Sequence, residues 1–577
     1  MANEASNNRL FPDRESLKIE FKSDPKSGLP DRIVVETVVG FANAEGGTLY
    51  VGITDDGTVT GLRTARWRDP DLAVAFIASH CVPPVAVTAE IIRTGTEDAL
   101  EVLAISIPKS AGIVATNDGK ILKRRIKIDG TPETSPLFPQ EFISRLSEIG
   151  RCDYSAMSLP NTSCDDLDPA ELQRLRKLLR DNNGERALTE LEDEDLAKAL
   201  GLVRGTNGTD GTTGTEEGLV PTIAGLLILG RENRLKQLLP GAGAVFQHLA
   251  GTDVLANEDM PVPLLKSFES LLDRFRARNS ESEINLGLVR YAVPMFSEQA
   301  FREALVNAFC HRDYTILNRV SVRLSDDGLE ITSPGGFVSG VSLENLLTVE
   351  PHPRNALLAD IFKRLGLAER TGRGIDRILE GSLLYGRPSP DYSESNNDSV
   401  RVFFPKCAPD PAFFELVLDY QKKIGTRIAV QSLMVLSAVL FAKRLSFPEI
   451  ASATHLPELR LKRHVETLVE DGLLEARGNG SERDFILSPK FYKVQKREIA
   501  HARQVGIDSM GSEALVMKLV RDKRSIARSD VAQLLGIESQ AAYRLLKKMV
   551  DDGKLTREGS KRLTVYKAAP DEPQGNL

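Results

Sequence analysis

The chain has 577 residues, roughly four times the size at which a single hydrophobic core is common, so two to four domains are expected. Its 41% hydrophobic and 27% charged residues are those of an ordinary folded protein and exclude wholesale disorder or a fibrous repeat. With 74 Lys plus Arg against 81 Asp plus Glu, a net charge of -7, there is no uniform basic field, and any contact with nucleic acid must be local.

The 5 cysteines, Cys81, Cys152, Cys164, Cys310 and Cys407, are odd in number and far apart. That spacing argues against a disulfide framework and a structural zinc site, and for a reducing cytoplasm. The opening MANEASNNRLFPDRES lacks the basic start and apolar core of a secretory signal, and no run nears the ~20 apolar residues that span a bilayer, so no membrane contact is expected.

In chain order, Lys18–Lys22 reads as a strand with Ile19 and Phe21 on one face and Glu20 and Lys22 on the other. A helix follows from about Asp31 to Ala44, then strands at 47–53, 85–92 and 100–108, with helices at 70–79 and 139–149. From about 165 the texture turns helical and acidic, and GTNGTDGTTGTEEG at 205–218 reads as a surface insertion, since no GK[ST] follows it. Apolar patterns resume at 221–230 and 243–249 and open a second α/β or α+β region. The last 150 or so residues hold an internal repeat at an offset near 81. VETLVEDGLL at 465–474 echoes LLKKMVDDGKL at 545–555, each a helix ending in Asp-Gly before a polar hairpin. With the short helices at 447–453 and 528–535, the outline is helix, turn, helix, winged hairpin, a nucleic-acid-binding pattern.

Three constellations could carry chemistry. Glu15 and Glu20 flank the first strand and Asp55 and Asp56 follow the strand ending at Ile53. Pairing of these strands would gather three acids able to hold Mg²⁺ or Mn²⁺. The same residues also fit a plain acidic turn beside a solvated strand face. On the helix of SEQAFREALVNAFCHRDY, Glu303 and Asn307 are four apart and share a face, a water-orienting acid beside an amide oxygen suited to Mg²⁺. An ordinary surface helix with polar neighbours is the alternative. Near them, SPGGF and RTGRGI place Gly335, Gly336, Gly372 and Gly374 in loops whose N–H groups could approach phosphates. Third, Arg521 to Arg562 holds 11 basic residues against six acidic ones, a local net charge of +5. On the candidate recognition helix at 538–552, Ser539, Gln540, Tyr543 and Arg544 would face base edges while Lys547 and Lys548 meet phosphates. Arg460 and Arg463 are the counterparts in the first copy, where protein docking is the competing reading.

The combination of ES-x3-EFK at Glu15–Lys22 with FANAEGGTLYVGITDDG at Phe41–Gly57 resembles the Schlafen/Alba-type domain. In Schlafen nucleases, acids at such positions form the metal site. The resemblance implies Glu15, Glu20 and Asp55 or Asp56 as catalytic and metal residues here. Lys22 and the basic strand at 123–127, with Arg124 and Arg125, could line a phosphate path, and a solvated strand face is the equal alternative. The ordered set REALVNAFCHRDY, SPGGF, PRNALLADIF and ERTGRGIDRI resembles the divergent GHKL-type ATPase domain of bacterial proteins described as RecG-like or as HTH transcriptional regulators. That implies ATP, with Asn307 on Mg²⁺, Glu303 orienting water, and Gly335, Gly336, Gly372 and Gly374 framing the phosphate lid. One position departs. Ser333-Pro334-Gly335-Gly336 stands where GHKL proteins carry the Asp of a DxGxG box that reads adenine. No GxxxxGK[ST] is present, so there is no P-loop motor.

The expected fold class is multidomain α/β and α+β. It comprises a Schlafen/Alba-like domain at 1–150, a helical connector at 151–220, a GHKL-like ATPase domain at 221–405, and winged helix-turn-helix domains at 411–495 and 505–570. The expected function is an ATP-binding, DNA-binding regulator, cytoplasmic and homo-oligomeric. The alternative is a metal-dependent endonuclease on tRNA or single strands, acting in phage defence.

Overall fold

The structure is a computed structural model that describes residues 11–94, 99–127, 129–205, 218–286, 288–350, 352–368, 373–478, 483–488, 491, 512–535, 539–558 and 564–568. The Gly/Thr-rich stretch at 206–217 and Gly372 lie outside the described residues. The chain divides into two compact units. One is everything to Met157 together with Asp313–Ile316 and His352–Ala356, and the other is the remainder.

In the first unit β1 (Ile19–Lys22), β2 (Gly47–Val51), β3 (Thr88–Arg93) and β4 (Glu101–Ile107) form a sheet of order β1-β2-β4-β3. β1 and β2 are parallel, joined by α1 (Asp31–Ala42), and their register sets Glu20 beside Leu49 and Lys22 beside Val51. The sequence of α1 is rich in valine, which disfavours an isolated helix by a few tenths of a kcal/mol per residue. Burial overrides this. Val34, Val35, Val38, Val39 and Phe41 pack with Leu49, Val51, Leu103 and Ile105, each such side chain contributing about 1.5–3 kcal/mol. Gly47 permits the closest approach, since a Cβ there would lie 2.5 Å from the Phe41 ring. The helix α2 (Pro70–His80) follows β2, and the hairpin of β5 (Leu122–Ile126) and β6 (Pro132–Pro136) leads into α3 (Pro139–Glu148).

The second unit centres on a sheet of β7 (Ala244–Ala250), β8 (Asp253–Met260), β9 (Val320–Leu324), β10 (Gly328–Pro334) and β11 (Ser399–Pro405), in the order β8-β7-β9-β10-β11. Its helices include α4 (Pro169–Asp181), α5 (Leu264–Arg276), α6 (Glu298–His311), α7 (Ala356–Arg364) and α8 (Gly374–Leu383). α6 is fastened through Phe301, which stacks on Phe275 of α5 with centroids 4.2 Å apart, and through Ser333, whose hydroxyl donates to the Ala308 carbonyl at 2.7 Å.

Beyond these lie two assemblies of one topology. The first comprises α9 (Val430–Ala442), β12 (Leu445–Ser446), α10 (Phe447–Thr454), α11 (Glu458–Glu470), β13 (Leu474–Arg477) and β14 (Asp484–Leu487). The second comprises α12 (Ser512–Lys523), β15 (Ile526–Ala527), α13 (Arg528–Leu535), α14 (Ser539–Asp551), β16 (Leu555–Glu558) and β17 (Val565–Ala568). From β12 and β15 onward every element of the second begins 81 residues after its counterpart. The sheets have matching orders, β12-β14-β13 and β15-β17-β16. Gly472 and Gly553 follow α11 and α14 with φ of 74° and 71°, the left-handed conformation that glycine adopts at least cost when a helix must turn into a strand. Among the described residues no helix is long and apolar enough to cross a membrane.

Candidate functional site

Strand alternation places Glu20 and Lys22 on one face of β1, and the parallel pairing with β2 brings in the turn after it. Glu15, Glu20 and Asp55 are gathered, but around an ammonium. Lys22 Nζ lies 2.6 Å from Glu20 Oε1, 3.7 Å from Glu15 Oε1 and 3.7 Å from Asp55 Oδ1, and donates to the Phe21 carbonyl at 2.7 Å. Glu15 Oε1 also accepts the Phe21 N–H at 3.0 Å. Burial pushes the Glu15 carboxyl up, against the pull of that N–H, and the Glu20 carboxylate adds to the rise. Asp56 is not a member of the cluster. It closes its own turn by accepting from Thr54 Oγ1 at 2.5 Å and Thr58 N–H at 3.0 Å, which lowers its pKa.

Arg124, expected along a phosphate path, has partners within the protein. That side chain is buried, with Nε and Nη2 donating to the Ser16 carbonyl at 3.0 and 2.9 Å, Nη2 also to the Ile19 carbonyl at 3.0 Å, and Nη2 2.5 Å from Glu20 Oε2. Its guanidinium lies over the Phe41 ring at 4.7 Å. It clamps the start of β1 to the carboxylate of Glu20. Arg125 points the other way but is held by Glu141 at 2.9 Å and lies over Phe138. Lys22, also expected along that path, is paired with carboxylates.

In the second unit Glu303 is buried on α6 at 7% exposure, and Asn307 sits half-buried one turn on. Glu303 lines a cleft of about 270 Å³ with Glu298, Gln299, Arg302, Leu367 and Arg377, whereas Asn307 is not among its lining residues. A second cleft of about 470 Å³ shares Arg302 and Leu367 with it and takes its far wall from α4. Arg302 stands at the junction and donates to Asn182 Oδ1 at 2.7 Å. The first residue of α8 rests on Glu303, since a Cβ on Gly374 would lie 2.2 Å from Glu303 Oε1. The positive end of α8 therefore already faces a carboxylate, and a phosphate there would share that end with Glu303. Burial, with Glu303 nearby, pushes the Tyr392 phenol and the Cys310 thiol up.

Gly335 and Gly336, expected to frame a phosphate lid, have backbone partners. Their N–H groups donate to the carbonyls of Asp398 and Asn397 at 2.8 and 3.0 Å, closing β10 onto the turn before β11. Ser333, at the place of the adenine-reading Asp, spends its hydroxyl on α6. As for the metal that the resemblance implies, among the described residues no group of three or more His, Cys, Asp or Glu could hold one. The N-terminal acids fit Lys22 instead.

In the C-terminal assemblies, Leu461, Val465 and Leu468 of α11 and Ala542, Leu546 and Met549 of α14 are buried. That spacing turns Arg460, Lys462 and Arg463 outward on α11, and Tyr543, Arg544, Lys547 and Lys548 outward on α14. Lys548 is engaged. Glu513 on α12 accepts from it at 2.8 Å and from Lys554 at 2.6 Å, and these two hydrogen bonds hold the Glu513 carboxyl down to about 2.

Residues 15–129 match the family "Schlafen, AlbA_2", residues 318–404 match "Putative ATP-dependent DNA helicase recG C-terminal" (HATPase_c_4), and residues 145–243 match "Domain of unknown function (DUF8451)". The fusion implied by the motifs is present: a Schlafen/AlbA_2 match followed by a RecG-like ATPase-type match. The latter begins after α6, so Glu303 and Asn307 precede it. The ATPase-like domain points to nucleotide binding. None of the curated proteins matches the sequence. Among solved structures, the DIP2311 protein from Corynebacterium diphtheriae is 21% identical over 85% of this chain and 96% of its own, with a TM-score of 0.48.

Proposed function

We propose that this chain is a DNA-binding regulator in which the two C-terminal assemblies are winged helices that hold duplex DNA, and the ATPase-like domain senses a nucleotide. The observation that supports this is the duplicated α11 and α14. Two helices of the same length, 81 residues apart and each ahead of a hairpin, turn an arginine- and lysine-bearing face to solvent while the rest of the fold carries a net negative charge. Exposed cations on a helix that fits the major groove give affinity through phosphate contact and counter-ion release. The test is duplex binding as a function of salt, with Arg544→Ala and Lys547→Ala as variants.

The nucleotide arm rests on the Glu303 cleft and the ATPase-like match. ATP is expected to raise the melting temperature, and Glu303→Gln to reduce that rise; no rise in the wild-type protein removes this arm. With Ser333 replacing the adenine-reading acid and Gly335 and Gly336 closed, the reading is one of sensing rather than rapid turnover. The endonuclease alternative has no comparable support, because the carboxylates it would use close on Lys22.

A further inference from the structure

The acidic cluster of the first unit has a cation at its centre that belongs to the chain itself. Lys22 Nζ stands within 3.7 Å of carboxylate oxygens from Glu15, Glu20 and Asp55, and a second fixed cation, Arg124, takes the other oxygen of Glu20 at 2.5 Å. A magnesium ion binds carboxylate oxygens at about 2.0–2.1 Å in near-octahedral geometry. Placed among these three acids, it would occupy the volume of the ammonium or press against it as a like charge. Lys22 cannot simply swing away at no cost. It sits in β1, paired to Val51, and its ammonium donates to the Phe21 carbonyl at 2.7 Å, so leaving the cluster gives up four oxygen partners together.

We infer that Lys22 is the resident cation of this cluster, so that the first unit holds Glu15, Glu20 and Asp55 together without a divalent metal. Three carboxylates stand against Lys22 and Arg124, so the cluster carries a net charge near -1 rather than -3, and Lys22 is the positioning residue that keeps it so. This inference concerns metal occupancy and is independent of whether the C-terminal assemblies hold DNA.

The experiment is a titration of the full chain with MnCl₂. Free Mn²⁺ is read by electron paramagnetic resonance and folding by the melting temperature. Wild-type protein is expected to bind no more Mn²⁺ than Glu15→Gln and Glu20→Gln variants, and to melt at the same temperature with and without the ion. Lys22→Met opens the centre of the cluster and is expected to gain one Mn²⁺ site at least ten-fold tighter than any in the wild type, with an Mn²⁺-dependent rise in melting temperature. Lys22→Arg keeps the charge and should behave as the wild type. Stoichiometric binding by the wild type that is lost in Glu20→Gln would overturn the inference, as would a folded Lys22→Met with no gain. If Lys22→Met does not fold with or without Mn²⁺, the comparison of the wild type with the two glutamine variants decides alone.

Discussion

The first unit draws in two short segments from far along the chain, Asp313–Ile316 and His352–Ala356, and a buried ion pair joins them. Asp313 and Arg354 are 3% and 5% exposed, with Arg354 Nη1 3.8 Å from Asp313 Oδ2. Asp313 also accepts from the Ser144 hydroxyl and from Thr315 N–H and Oγ1 at 2.9 and 2.6 Å, while Arg354 donates to the Ser144 carbonyl at 3.3 Å. Arg354→Met removes one guanidinium from a buried, hydrogen-bonded ion pair, a loss of up to about 3–5 kcal/mol. Asp313→Asn should cost a comparable amount. The double variant should cost less than the sum by about 1–3 kcal/mol, because both single variants lose the same pairwise contact. The chain carries a single tryptophan, Trp67, 1% exposed in the core of this unit, so its fluorescence reports the unfolding of the first unit alone. With a urea m-value of about 2 kcal/mol per M, the Trp67 midpoint should fall by about 2 M in either single variant. An unchanged midpoint, or strictly additive losses in the double variant, would refute the pairing.

Three further outcomes follow from particular contacts. Glu513→Gln releases Lys548 and Lys554 and should tighten duplex binding and steepen its salt dependence by about one to two phosphate contacts; weaker binding would contradict the assignment of α14. Burial would raise the Glu148 carboxyl, but Arg145 and Lys109 outweigh it and hold the group below the ordinary 4.5. A pKa lower in the folded than in the unfolded state stabilises above the unfolded value and is lost as pH falls through the folded one. The Trp67 transition should therefore weaken below about pH 4.5, and less so in Glu148→Gln. A methyl group at Gly374→Ala meets Glu303 and should remove the ATP-dependent rise in melting temperature while leaving duplex affinity unchanged; an undiminished rise would separate Glu303 from the nucleotide.

The C-terminal duplication was legible because its helices carry the apolar period and end in Asp-Gly, a local signal. Its two-residue strands β12 and β15 were not, since a run that short has no period to detect. β1 to β4 and α1 to α3 of the first unit fall within a few residues of where alternation and periodicity place them, whereas the strand β6 (Pro132–Pro136), with a proline at each end, carries no strand signal. Lys22 could be put on the face of Glu20 from sequence, but its position among three acids depends on the parallel register of β1 and β2. Arg124 was hidden by its setting in a basic run. The signal lay in the alternation of β5, which turns Leu122 and Arg124 inward and Lys123 and Arg125 outward. Gly335 and Gly336 read as open loop glycines because the turn at 396–398 that takes their N–H groups is some 60 residues away in the chain.

The regulator reading turns on whether α14 meets phosphates. The most direct measurement is the dissociation constant of the full chain for a duplex, by fluorescence anisotropy, from about 50 to 300 mM salt. A linear fall of log affinity with log salt is expected, with a slope shallower by about 0.9 for each of Arg544→Ala and Lys547→Ala. Duplex binding whose salt slope is the same in the wild type and both variants, or no binding at low salt, would contradict it.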